Sequence, residues 1–298
     1  MNLLRAATLA VSDSDATAAR YVEWLGYQVV ERGEIDADLA GSWGAPAMEG
    51  RRCVVCQPAS GAEVFLRFVQ AEPPADYRPL RTFGWAALEI CVADTLAVAD
   101  RMEASPFTVI GPPRELDGMP EIFPMQVRGP DDEIVYLTQI RSQPKGVRLA
   151  QAQSLIDRLF ILVLACSDLA ASRAWFAQAL GLAVQPEVPI RYTMLSRAFD
   201  LPLETRHRIA TAGHEIDVFL EFDQYPDGAE ARACGEGELP PGVCMVTLAH
   251  PDLAAVAAGS IRPPQARNGA LYQGCAAAVV RAPDKVLVEL VSLDPLSL

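Results

Sequence analysis

Three histidines and seven cysteines are the obvious chemical side chains of this sequence, and neither set is arranged for catalysis. His207, His214 and His250 have no evident Ser or Cys partner, so a nucleophilic triad is unsupported. Cys53 and Cys56 form a lone CxxC around Val54-Val55. In a strand, residues three apart point to opposite faces, so this pair is badly placed to chelate one ion. Cys91, Cys166 and Cys244 lie in apolar runs and read as buried, reduced thiols. No G-x-G-x-x-G follows a strand, and there is neither a Walker loop nor a G-x-S-x-G elbow. What remains are two carboxylates set in apolar, strand-like runs: Glu221 in Leu220-Glu221-Phe222, and Glu289 before Leu290. The chemistry open to such groups is proton transfer.

The elements that must position them belong to a globular chain. Its 298 residues suggest about two domains. Hydrophobic residues make up 51% of it, which excludes a disordered chain and leaves enough apolar surface for real cores. No apolar run approaches the length of a membrane span. With 25 Lys+Arg against 38 Asp+Glu, the net charge of -13 makes nucleic acid and anionic membranes poor partners. The first residues carry no basic region, apolar core or cleavage signal, so the protein is expected in the cytoplasm.

The decisive feature is internal duplication. Ser12-Asp13 running to Leu25-Gly26 matches Ser167-Asp168 running to Leu180-Gly181. Val64-Phe65-Leu66-Arg67-Phe68 matches Val218-Phe219-Leu220-Glu221-Phe222. Val127-Arg128-Gly129-Pro130-Asp131 matches Val280-Arg281-Ala282-Pro283-Asp284, and each continues into a strand, through Tyr136-Leu137 and Glu289-Leu290. Ser12 to Ser167 is 155 residues, Phe65 to Phe219 is 154 and Pro130 to Pro283 is 153. The chain is therefore two copies of one unit, joined at 141–154. Each copy holds a shorter repeat. Strands at 6–11, 88–92, 160–166 and 243–249 each lead to an Asp that can cap a following helix. Gly26 and Gly181 end two of these helices in the left-handed manner. Further strands follow, giving an α+β chain with the unit β-α-β-β-β used four times.

Ser167-Asp168, Trp175-Phe176, Leu180-Gly181 and the closing Ala282-Pro283-Asp284…Glu289-Leu290 resemble the vicinal oxygen chelate superfamily, the group of glyoxalase I, extradiol dioxygenases and bleomycin-resistance proteins. The resemblance covers nearly the whole chain. It implies four βαβββ modules forming two tandem half-barrel cups: residues 1–143 (modules 1 and 2), taken as structural, and residues 152–298 (modules 3 and 4), taken as the active cup. It also implies one divalent metal per functional cup, held by His and Glu on first and last strands. Here the first-strand positions fall at Ala6, Ala87, Ile161 and Met245, and the last-strand positions at Arg67, Tyr136, Glu221 and Glu289. No metal is therefore expected, with a weak divalent site at Glu221 and Glu289, aided by His214, left open.

Within that frame Glu221 and Glu289 are the candidate catalytic base and acid of the C-terminal cup, or orient the substrate. The bland alternative pairs each with an arginine, Arg191, Arg197, Arg206 or Arg208. Arg67, Tyr136 and Glu89, which shares strand parity with Ala87, are expected to fill the N-terminal cup, as a self-satisfied cluster or as binders of a substrate carboxylate or phenolate. Arg191, Tyr192 and Tyr225 are candidate ligand contacts from loops. The expected function is a metal-independent lyase, isomerase or hydrolase acting on a small, apolar, oxygenated metabolite. The alternative is non-catalytic sequestration of a hydrophobic ligand, as in bleomycin-resistance proteins. Divalent-metal dioxygenase or glyoxalase chemistry ranks below both. The partner is a small molecule, and the protein is a monomer or homodimer.

Overall fold

A computed structural model describes residues 2–295. Module 1 runs β1 (Leu4–Val11), α1 (Ser14–Leu25), β2 (Tyr27–Glu34), α2 (Ala37–Ser42), β3 (Arg52–Pro58) and β4 (Phe65–Gln70). Module 2 runs β5 (Gly84–Val92), α3 (Thr95–Glu103), β6 (Thr108–Gly111), β7 (Ile122–Arg128) and β8 (Ile134–Ile140). Module 3 runs β9 (Ile156–Cys166), α4 (Leu169–Leu180), β10 (Ala183–Val184), β11 (Val188–Arg191), α5 (Thr193–Ala198), β12 (Arg206–His214) and β13 (Asp217–Gln224). Module 4 runs β14 (Gly242–His250), α6 (Leu253–Val256), β15 (Gln265–Ala266), β16 (Cys275–Arg281) and β17 (Leu287–Pro295).

The helix signals act as expected. Asp13, Asp94, Asp168 and Asp252 stand at the N-caps of α1, α3, α4 and α6, their carboxylates accepting from first-turn N–H groups. Gly26 (φ 70°) and Gly181 (φ 65°) close α1 and α4 in the left-handed region, where a Cβ would be strained. Ser12 and Ser167, one residue before two of these caps, have a second task. Ser12 N–H and the Thr17 hydroxyl both donate to Asp131, at 2.9 and 2.6 Å. Ser167 N–H donates to Asp284 at 2.9 Å. The repeated Ser-Asp and Pro-Asp motifs are thus one device, stapling module 1 to module 2 and module 3 to module 4.

The sheets are built across those staples. Among the described residues one sheet has the order β15-β16-β17-β14-β1-β4-β3-β2, joining modules 4 and 1. The other, β10-β12-β13-β9-β5-β8-β7-β6, joins modules 3 and 2. This corrects the expectation that each cup is made by one sequence half. The seams are antiparallel: β1 on β14, with Thr8 opposite Met245, and β5 on β9, with Glu89 opposite Ile161. All four modules carry the same alternation, so pattern alone does not say whose first strands meet.

That alternation partitions the side chains between two environments. On β1, Ala7, Leu9 and Val11 join the main core between the sheets, while Ala6, Thr8 and Ala10 face a cup. On β5, Leu88, Ile90 and Val92 join the same core, while Ala87, Glu89 and Cys91 face the other cup. Cys56 joins the main core whereas Cys53 packs on a cup cluster, the opposite facing expected of the CxxC. All seven cysteines are free; Cys234 is exposed, unlike the buried thiols expected throughout.

Candidate functional site

The two cups hold register-equivalent quartets. In the 1–4 cup, parallel pairing sets Thr8 beside Arg67 and Thr247 beside Glu289. In the 2–3 cup it sets Glu89 beside Tyr136 and Val163 beside Glu221. Paired residues in parallel strands face the same side, so each quartet lines one floor. Glu221 and Glu289 therefore stand in different cups, which overturns both their pairing as acid and base and a metal site shared between them. Arg67 is likewise separated from Glu89 and Tyr136.

The 1–4 cup is closed by its own polar groups. Arg67 Nη2 lies 2.9 Å from Glu289 Oε2, and both residues are fully buried. Arg67 also donates to the hydroxyls of Thr8 (2.9 Å) and Tyr272 (2.5 Å), and its guanidinium stacks 4.7 Å from the centre of the Trp43 ring. Glu289 accepts from Thr247 Oγ1 (2.7 Å), Tyr272 OH (2.8 Å) and Trp43 Nε1 (3.1 Å). Burial pushes the Glu289 carboxyl up, but Arg67 and the three hydrogen bonds outweigh it and hold it below its ordinary value. Glu289 thus has an arginine partner, though none of the four arginines named from the sequence. Trp43 and Tyr272 come from irregular segments, where no periodicity flags them.

The 2–3 cup is open. Its cavity of roughly 490 Å3 has mostly apolar walls, among them Phe160, Ile161, Ile190, Met194 and Val218; Glu89, Glu221, Tyr136 and Tyr192 belong to a polar lining that also includes Arg114, Lys145, Arg191 and Arg197. Glu89 is buried and accepts from Thr138 Oγ1 at 2.6 Å. Burial, and then the nearby Glu221, push its carboxyl up to about 8. Glu221 is half-buried and lines the cavity; burial and then Asp223 raise it well above the usual carboxyl range. Asp223, two residues along β13 on the same face, is hydrogen-bonded to Glu221 and raised by burial to about 7. The Asp223 Oδ1 atom is buried without a hydrogen-bond partner among the described residues. Strand parity with Glu221 was the signal for Asp223, which reads as loop in the sequence only because Gln224-Tyr225-Pro226 follows it.

Such raised carboxyls have a measurable consequence. A group whose folded pKa is raised adds stability that is complete below its unfolded value and is lost as pH rises through its folded value. For Glu89 that window runs from 4.5 to about 8, at about 1.4 kcal/mol per pH unit at most. The melting temperature should therefore fall between pH 5.5 and 8.5. Glu89→Gln should flatten the profile and raise the melting temperature at pH 8.5; equal slopes in both proteins would show that Glu89 is not held protonated.

The remaining residues divide. Tyr192 lines the cavity, its hydroxyl hydrogen-bonded to that of Tyr136. Arg191 lies at the cavity edge, paired with Asp117 at 3.0 Å and Glu204 at 3.3 Å, so it ties the loop after β6 to β11. Tyr225 does not line the cavity; it is buried against Phe199. Ser196 and His207 make a 3.0 Å hydrogen bond that anchors α5 on β12, but neither lines the cavity. Burial alone lowers His207.

A His- and Glu-bound divalent ion does not fit this donor set. The 2–3 quartet offers two carboxylates, a phenol and Val163, and among the described residues no group of three or more His, Cys, Asp or Glu is placed to hold one metal. Among them, too, no helix is long and apolar enough to cross a membrane.

No protein-family model matches the chain, and no curated protein sequence matches it. In structure it is similar to glyoxalase I from Zea mays, with a TM-score of 0.65 and 17% identity, over 98% of this chain and 92% of that one. It is also similar to a Bacillus subtilis protein described as a dioxygenase, with a TM-score of 0.62 and 12% identity, over 98% of this chain and 85% of that one. At such identities the overlap speaks for architecture alone: the chain shares the fold of these glyoxalase and dioxygenase structures, in a four-module, two-cup form.

Proposed function

We propose that the 2–3 cup is a proton-transfer site of isomerase or lyase type for a small, largely apolar, oxygenated compound. The reading rests on one observation: two neighbouring carboxyls with raised pKa values line the floor of a largely apolar cavity. Glu89, which ionises near pH 8, is the base. Glu221, whose carboxyl is bonded to Asp223, is the acid. Glu89 thereby takes the place beside Glu221 first expected of Glu289, and Glu221 becomes the acid rather than the base. Every proton step runs between these carboxyls and the ligand. A second reading, sequestration of a hydrophobic ligand without turnover, is favoured by the breadth of the apolar walls.

The test is proton exchange in D2O, followed by NMR, with acetophenone, phenylacetaldehyde and phenylpyruvate as probes. Carbon-bound deuterium appearing faster than in buffer supports the catalytic reading, and the rate should rise with pH up to about 8 as Glu89 ionises. Saturable binding of these probes with no exchange above buffer would favour sequestration.

A further inference from the structure

The hydroxyls of Tyr136 and Tyr192 meet at the wall of the 2–3 cavity, one from β8 and one from the turn into α5. Their rings cross edge-on, with centres 6.3 Å apart, and both side chains are buried. Two hydroxyls carry two protons, and their mutual hydrogen bond uses one. Among the described residues neither hydroxyl has another hydrogen-bond partner. The second proton therefore faces either the cavity or nothing, and a buried donor with no acceptor is costly. Tyr136 also sits directly across the β5–β8 pairing from Glu89, on the same face. Burial holds both phenols protonated far above neutral pH, so they remain donors.

We propose that the Tyr136–Tyr192 pair is an oxygen-binding site, and that it selects carbonyl compounds bearing a hydrogen on the carbon next to the carbonyl. The inference rests on the proton-transfer reading and adds the substrate class to it. The carbonyl oxygen accepts the free tyrosine proton as a hydrogen bond. The Glu89 carboxylate takes the proton from the adjacent carbon. The C–H electron pair becomes the carbon–carbon π bond, and the carbonyl π pair moves onto oxygen, giving an enolate. The tyrosine hydroxyls hold that developing charge in a low-dielectric cavity, where a fixed donor is worth most. Glu221 returns a proton to carbon as the carbonyl re-forms. No electron leaves the substrate, and the second tyrosine strengthens the first by donating to its oxygen.

4-Nitrophenol isolates the oxygen site from turnover, because its phenolate resembles an enolate oxygen and absorbs visible light. Wild-type protein should bind the phenolate, and Tyr136→Phe and Tyr192→Phe should each weaken binding roughly 10- to 100-fold, the range for losing a hydrogen bond to a charged oxygen. Each variant removes one oxygen atom, and a thermal melt checks that it is folded. Binding by both variants within twofold of wild type, or no binding by the wild type at millimolar phenolate, overturns the proposal. The two readings fail separately. Tyrosine-dependent phenolate binding without exchange on any ketone keeps the oxygen site and removes the catalytic reading. Glutamate-dependent exchange that survives both phenylalanine substitutions removes the oxygen site and keeps the catalytic reading.

Discussion

Replacing Arg67 by Met should lower the unfolding free energy by about 3–5 kcal/mol, the range for removing one partner of a buried ion pair. Both side chains lie almost wholly out of solvent, so bulk water does not screen the charge left on Glu289. In the variant Glu289 keeps Thr247, Tyr272 and Trp43 as donors but loses the charge that offsets its burial. Its carboxyl should then move from below its ordinary value to above it. The pH dependence at this group consequently reverses. In the wild type its contribution is lost as pH falls through the lowered value; in the variant stability is lost as pH rises through the raised one. Urea unfolding at pH 3.5, 5.5 and 8 reads both effects. Arg67→Met combined with Glu289→Leu should recover much of the loss, because the charge left behind is the expensive part. A single variant within 1 kcal/mol of wild type would show that the pair is not the clamp described.

The second large effect falls on chemistry rather than stability. Glu89→Gln and Glu221→Gln should each slow proton exchange on a competent ketone by roughly 10^2- to 10^4-fold, the span associated with a positioned acid or base. Glutamine keeps the shape and some hydrogen bonding but cannot carry the proton. Glu89→Gln should also remove the rise in rate toward pH 8, since the ionisation behind it is gone. Glu289→Gln is the informative control. It belongs to the other cup, so the exchange rate per folded molecule should stay near wild type while stability drops. Loss of exchange in Glu289→Gln, with Glu89→Gln unaffected, would place the working site in the wrong cup.

Much of the fold was legible because its signals are local. Four Asp caps, two left-handed glycines and strand alternation each act within a few residues, and the duplication multiplies them. Glu89 was placed facing inward by its parity with Ala87, and the structure agrees. The partnership of modules was not legible. The β1–β14 and β5–β9 seams join strands far apart in sequence, and the competing pairing uses strands of the same alternation. That single unknown redistributed the site, sending Arg67 to Glu289 and Glu221 to Glu89. Trp43 and Tyr272 escaped for another reason: a loop aromatic that reaches into a cup has no period to announce it.

The order of the cups also bears on how the protein is made. Gly84 pairs with Ala165, so the 2–3 cup can close once module 3 has left the ribosome. Leu4 pairs with Leu248, so β1 must wait for module 4. Like brackets in a sentence, the cup that opens first closes last. Until then β1 is an open edge, with unpaired backbone that invites pairing with another chain. A nascent chain stopped short of β14 carries its candidate site complete and its first strand exposed. The buried ion pair of the 1–4 cup, which needs β4 and β17 together, forms only after β17 has been made.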